Sequence, residues 1–450
     1  MLTIAMPFPS SSRLTALLSL PLLACSSHPV STAGHDAAGS GSGSTSTDSG
    51  VAPFDASTPP GPECNGTVKS TGTATTPTTA PALTVPAGFT LEAIASISTA
   101  RQLVALPNGD LLVSTRANEV WIVPNAEGSG APYAPVVFAT INDVPVQGIA
   151  FDPTTCTIAI GSQHGIYSVP YRDAQTTGTI GPAIAQIRTG PTAHSVDASV
   201  DTDTHITTSL AYAGGKLYAA VGSSCNACVE VDSTRATVQE MNLDGTGMVT
   251  RATRIRNAIA MAVNPATGTV WLGGAGQDDL AIGHPYEYFD ALTLHPGVAD
   301  YGWPDCEENR VAYVAGADCS NTVEPMVEFP AYSTLIGATF YPAGQTGAYA
   351  FPDAFRGGVF VTAHGSWHTN ADQTYYSPPR VAYVAMTGDT PATAADWQNP
   401  KAQWQDFVTG FQLSDGVTRV GRPTGIAVGV EGTLFVADDQ TNQVYRVRPQ

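Results

Sequence analysis

One short unit returns six times along this chain and limits what it can fold into. Each copy is a turn, a β-rich strand and a polar break, with a second strand in the longer copies. The copies are "PNGDLLVSTRANEVWIV" (107–123), "TTCTIAIGSQHGIYSV" (154–169), "GGKLYAAVGS" (214–223), "TGTVWLGGAG" (267–276), "RGGVFVTAHGS" (356–366) and "EGTLFVADDQTNQVYRV" (431–447). Apolar and polar residues alternate within each, as a half-buried strand requires, and helical periodicity is almost absent. The copies recur at uneven intervals of roughly fifty to ninety residues, so long insertions separate some of them. Six sheet-forming units in one chain predict an all-β, six-bladed β-propeller. A β-sandwich would leave the repetition unexplained. The stretch "TVPAGFTLEAIA" (84–95) is expected to pair with the C-terminal strands and close the ring, which removes exposed edges. In such a ring, polar loop residues at the channel mouth are where ligands are bound, and the strands supply packing.

The N-terminal segment is of another kind. Arg13 precedes the apolar run "LTALLSLPLLA", which is too short to span a bilayer and reads as a signal-peptide core. It ends in "LLAC", which resembles a bacterial lipobox whose cysteine, here Cys25, is lipidated and becomes the new N-terminus; an ordinary cleaved signal is the alternative. Ser26 then points to the outer membrane, with the folded domain in the periplasm or outside the cell. Membrane contact is expected only through that anchor. The Ser/Gly/Thr/Pro-rich stretch that follows holds too few large apolar residues to offset ordering entropy, so it reads as a tether. The expected division is therefore 1–25 signal peptide, 26–80 disordered tether and 81–450 propeller.

Apart from Cys25, six cysteines remain: Cys64, Cys156, Cys225, Cys228, Cys306 and Cys319. An even number in an exported chain suggests disulfides, but six cysteines allow fifteen pairings. Nearness suggests Cys225–Cys228 and Cys306–Cys319, leaving Cys64–Cys156. "CNAC" invites a zinc or redox reading, yet no second pair stands at ribbon spacing and no helical period follows Cys228. A structural staple is the better reading. The formal charge of −19, with 19 basic residues spread along the chain, excludes a nucleic-acid surface.

Four loop segments carry the functional signal: Gln147–Phe151, His205 with Leu210 five residues on, Arg256–Asn257, and Tyr301–Pro304. Together with "GSSCNAC", "YGWPDC", "HGSW" and "GRPTGIAV…LFVADD", and in this order on a six-unit pattern, they make residues 85 to 450 resemble the glucose/sorbosone dehydrogenase family. The sorbosone dehydrogenase-like branch is the nearest. Those are propeller enzymes that use pyrroloquinoline quinone (PQQ). The resemblance implies that His205 is the general base, with Gln147 and Arg256 lining its pocket. It implies Asn257 beside the cofactor, Arg422 at the quinone's carboxylates, and the backbone carbonyls of Gly276 and Gln277 on a calcium ion. His364 and Trp367 fall in the family's pocket loop, where Trp367 either stacks on a flat cofactor or packs in the core. Tyr301–Pro304 reads as an architectural turn, and Asp278 and Asp279 as solvated loop carboxylates.

These residue types suit the implied chemistry. Oxidising a hemiacetal to a lactone removes a proton from oxygen and a hydride from carbon, and an imidazole can take that proton near neutral pH. Calcium takes oxygen ligands, and arginine forks match carboxylates. Electrons would pass on to a cytochrome or quinone. The chain departs from the soluble glucose enzymes at Thr204, where they carry aspartate, and at Ser209, where they carry arginine. Their cofactor lysine has no counterpart; the nearest position falls around His364 or Gly365. These departures weaken the case for glucose itself. The rival readings are a non-catalytic propeller that binds a carbohydrate or protein partner, and a calcium-dependent lactone hydrolase.

Overall fold

Six sheets, each with four antiparallel strands and two of them extended by a short fifth, stand around a central channel in the computed structural model, which describes residues 63–80, 82–193 and 204–450. The first, innermost strands of the blades are Ala100–Ala105, Gly148–Asp152, Thr208–Ala213, Ala258–Val263, Leu335–Phe340 and Pro423–Val428. Each packs beside the next, and the last returns to the first. The unit legible in the sequence is the turn after the innermost strand, followed by the second strand, once per blade. Two short 3-10 turns, Leu292–Leu294 and Asp353–Phe355, are the only helical pieces among the described residues. None of them is long and apolar enough to cross a membrane.

Closure follows the expected route. Phe89–Ser96 forms the outer strand of the last blade, antiparallel to Gln443–Pro449 in a register that runs from Phe89 opposite Pro449 to Ser96 opposite Gln443. Apolar strand faces then meet between blades, and six buried clusters fill the six interfaces. In the fourth interface Trp271 is fully buried and stacks on Phe289 at 5.2 Å. Removing a side chain of that kind costs about 3–5 kcal/mol.

The tether boundary needs correction. Residues 63–80 were expected to be its end, but they lie against the first two blades and the outer strand of the last. Cys64 is bonded to Cys156, the Gly66 amide donates to Asp173 Oδ2 at 2.7 Å, and Thr78–Thr79 pairs with Ala93 and Glu92. Composition counts only apolar burial, and this segment is held instead by a disulfide and polar contacts. The signal peptide, Cys25 and the rest of the tether lie outside the described residues. The other disulfides join Cys225 to Cys228 and Cys306 to Cys319. The longest gap between repeats holds an insertion in which Ala299–Asp300 adds a parallel strand to the third blade and the Cys306–Cys319 bridge closes a loop.

Candidate active site

The chain enters each innermost strand at one end of the channel, so the residues just before those strands converge there from all six blades. They line a cavity of about 610 Å³. Every site residue named from the sequence borders it: Gln147, His205, Arg256, Asn257, Gly276, Gln277, His364, Trp367 and Arg422.

His205 precedes the third blade's inner strand and is half-buried. Its Nδ1 lies 2.8 Å from Ser223 Oγ, and that hydroxyl donates onward to the Cys225 carbonyl at 2.7 Å. With its proton committed to the carbonyl, Ser223 accepts from the imidazole. This fixes the proton on Nδ1 and leaves the Nε2 lone pair available. Burial, then the Arg256 and Arg188 charges, hold the imidazole well below its ordinary range against an opposing bond to the Ser223 backbone. His205 is therefore neutral and a proton acceptor at pH 7. Gly222 makes this approach feasible: a Cβ there would lie 2.6 Å from His205 Cβ and 2.7 Å from Asn257 Oδ1.

Two charged clusters form the walls. In one, Arg256 is buried and its Nη2 donates to Asp278 Oδ2 at 2.6 Å, while Asp278 Oδ1 meets His368 Nε2 at 3.1 Å. Asp278, expected to be solvated, is thus an ion-pair partner; Asp279 is exposed, as expected. In the other, Arg101 donates from Nε to Gln147 Oε1 at 3.0 Å and from Nη1 to Asp439 Oδ2 at 2.9 Å. Asp439 Oδ1 accepts from His364 Nε2 at 2.9 Å. Burial, with the Arg422 and Arg101 charges, pushes His364 down and keeps it neutral against its bond to Asp439. Burial opposes ionisation of Asp439, but the His364 bond and the two arginines outweigh it and hold the carboxyl well below its usual range. Arg422 donates to the His364 and Gly365 carbonyls at 3.1 and 2.8 Å, and burial lowers it to about 10. Arg116 is exposed at the same cavity, near enough to Arg101 and Arg422 to repel both. Four arginines thus gather at one mouth of an acidic chain, two of them paired with Asp278 and Asp439.

The third wall offers acceptors. Asn257 Oδ1, Gln277 Oε1 and Glu307 Oε2 are buried with no hydrogen-bond partner among the described residues. A second cavity of about 20 Å³ adjoins this wall and is lined by Asn257, Gly276, Glu287 and Glu307. Burial raises the Glu287 carboxyl well above its usual range and Glu307 to about 8. Orphaned oxygen acceptors and buried carboxyls beside the Gly276–Gln277 turn are a donor set that fits a hard cation. The arginine wall fits a ligand with several carboxylates.

Trp367 is 66% exposed at the rim, so it is not a core residue; its ring lies 3.8 Å from that of His368, which faces Tyr332 at 5.2 Å. Tyr301–Pro304 is architectural, as expected: Tyr301 Oη donates to Asp290 and Trp303 Nε1 to the Asn226 carbonyl. Sequence reasoning missed Arg101, Arg116, Ser223, Glu287 and Asp439. Arg116, Ser223 and Asp439 lie inside a repeat, while Arg101 and Glu287 stand at the start of blade strands outside any quoted motif; the signal available was a place at the same end of a blade strand.

Fold and site together define a class: a six-bladed propeller with a neutral histidine, an arginine wall and an oxygen-rich wall around one channel mouth. Residues 306–450 match the TrAA12-like family model. The iodide structure of Trichoderma reesei Carbohydrate-Active Enzymes family AA12 superposes with a TM-score of 0.65 at 18% identity, over 84% of this chain and 100% of that one. The holo form of the pyranose dehydrogenase PQQ domain from Coprinopsis cinerea gives 0.64 at 17% identity, over 81% and 97%. An uncharacterized protein of Borreliella burgdorferi is 25% identical over 236 residues; the match covers 52% of this chain and spans 57% of that curated relative's length. The family resemblance carried by the motifs is met again in these comparisons, and the propeller fold is shared.

Proposed function

We propose that this protein oxidises an aldose or related sugar aldehyde at the anomeric carbon, with PQQ and calcium as cofactors. The observation that carries the reading is His205: a neutral imidazole with its proton fixed on Nδ1 and its Nε2 free, beside a cavity that fits a polycarboxylate and a hard cation. When bound, PQQ supplies a two-electron hydride acceptor and calcium polarises it. His205 Nε2 takes the proton of the anomeric hydroxyl as the hydride leaves C1, and the sugar becomes a lactone. Gln147, held by Arg101, and Arg256, held by Asp278, line the pocket for the sugar's hydroxyls. Arg422, Arg101 and His364 form the wall that would take the cofactor's carboxylates, with Trp367 at the rim. Asn257, Gly276 and Gln277 would face the cation. Pyranose oxidation with PQQ, named for the Coprinopsis domain, supports the substrate class. The Trichoderma family was also solved as a calcium structure, over 85% of this chain, which supports the metal. A lipid anchor at Cys25, a place in the cell envelope, and electron transfer to a cytochrome or quinone complete the reading.

The test is reconstitution. Purified protein is mixed with PQQ and calcium, and reduction of an artificial dye is followed over a panel of aldoses. Turnover with at least one sugar, lost on chelation, is expected. Absence of PQQ binding together with no dye reduction for any sugar overturns the reading in favour of a non-catalytic propeller.

A further inference from the structure

The "CNAC" segment was expected to be only a staple, but its second residue makes five hydrogen bonds. The Asn226 carbonyl accepts from Arg256 Nε at 3.2 Å and Trp303 Nε1 at 3.0 Å. Its side-chain Oδ1 accepts from Arg256 Nη2 at 2.9 Å and the Asp278 amide at 2.8 Å, and its Nδ2 donates to the Asp278 carbonyl at 3.0 Å. One side chain thus ties the arginine at the start of the fourth blade to the turn that carries Gly276 and Gln277. The residue before it reaches the other way: the Cys225 carbonyl receives the Ser223 hydroxyl that holds His205. The Cys225–Cys228 bond closes the segment into a ring. Both cysteines pack in a small cluster with Ala193, Ala236 and Trp303, separate from the six blade interfaces.

We propose that Asn226 is a positioning residue, presented by the Cys225–Cys228 ring, that sets Arg256 and the 275–278 turn in place against His205. The activity arm of its test rests on the sugar-oxidation reading; the structural arm does not. With Asn226 truncated, Arg256 keeps Asp278 and the residue-226 carbonyl but loses the Oδ1 acceptor that it shares with the Asp278 amide, and the Asp278 amide and carbonyl lose their side-chain partners.

The test compares Asn226→Ala, Asn226→Asp and the double variant Cys225→Ala/Cys228→Ala by hydrogen exchange and, after loading with PQQ and calcium, by dye reduction. In Asn226→Ala, exchange of the Asp278 amide is expected to speed up by more than about tenfold while inner-strand amides hold their protection. Its kcat/KM is expected to fall by about 10- to 100-fold, the usual effect of losing an outer-shell partner. Asn226→Asp keeps the acceptor for Arg256 and for the amide but loses the donor to the Asp278 carbonyl and sets an oxygen against it, so both readouts should fall between those of the alanine variant and wild type. The double cysteine variant should move both in the same direction by less. Should Asn226→Ala fail to fold, the other two variants carry the test. An Asp278 amide that stays protected in Asn226→Ala overturns the proposal, as does an Asn226→Asp variant as impaired as the alanine. A double cysteine variant equal to wild type removes the ring from it. If wild type reduces no dye with any sugar, the sugar reading fails, and the exchange data still decide the role of Asn226.

Discussion

The two mouths of the channel are built from the same six strands and could hardly differ more. Where the strands begin, the cavity is lined by Arg101, Arg116, Arg256, Arg422, His205, Asp278 and Glu287. Where they end, a cavity of about 420 Å³ is lined by Val104, Phe151, Met261, Phe340 and Val428, with no charged residue. Gln102 lies between them: its amide crosses the channel from the first blade to the Ile336 carbonyl at 2.7 Å. A shared scaffold with opposite chemistry at its two ends separates packing from function. The strands need apolar alternation along their length, while the residue at each strand start is free to carry charge. Chemistry is therefore expected at one mouth only.

Substitutions at the two mouths can break that contrast. The largest effect belongs to His205→Ala, which should lower turnover by about 10²–10⁴ with the circular dichroism spectrum unchanged. Gly222→Ala comes next. Its Cβ would force His205 and Asn257 apart, and a displacement of that order should lower kcat/KM by about 10²-fold. Arg256→Gln acts on pH dependence as well as on rate. In wild type the depressed His205 stays neutral below the ordinary histidine value near 6.5, so kcat/KM should stay flat as pH falls through 6.5. Removing the Arg256 charge lets the His205 pKa rise, and the acid limb should move to higher pH. The linkage has a definite sign. The unfolded chain takes up a proton on His205 below about 6.5 and the folded one does not, so this residue removes stability as pH falls. The smallest effect is expected at the apolar mouth. Val428→Ala should cost about 1 kcal/mol of stability in a denaturant melt and leave kcat/KM within about twofold of wild type. Comparable losses of activity at both mouths would end the distinction.

Much of this was legible in the sequence, for identifiable reasons. The blades showed because each needs a tight turn before its second strand, and turn residues leave a local mark. Ring closure by residues 84–95 showed because a sheet of this size cannot leave an edge open. Nine residues that border the charged cavity showed through motif order. What escaped was whatever depends on a partner far along the chain. Asp439 matters because it meets Arg101 and His364, 338 and 75 residues away. Ser223 and Asn226 sat inside a quoted motif, yet nothing local revealed that they hold His205 and Arg256. Asp278 was misjudged for the same reason: a loop carboxylate is usually solvated, and only the fold brings Arg256 and His368 to it. The tether boundary was misplaced because a disulfide and polar contacts leave no apolar trace.

In the proposed reaction the charged mouth removes a proton and a hydride from a sugar, with His205 as the proton acceptor. A single-turnover experiment tests it most directly: protein loaded with PQQ and calcium is mixed with an aldose, or with the same aldose deuterated at C1, at several pH values. Cofactor reduction should be slower with the deuterated sugar, should keep its rate as pH falls through 6.5, and should nearly vanish in His205→Ala. Reduction at equal rates with both sugars, or an undiminished rate in His205→Ala, would contradict it.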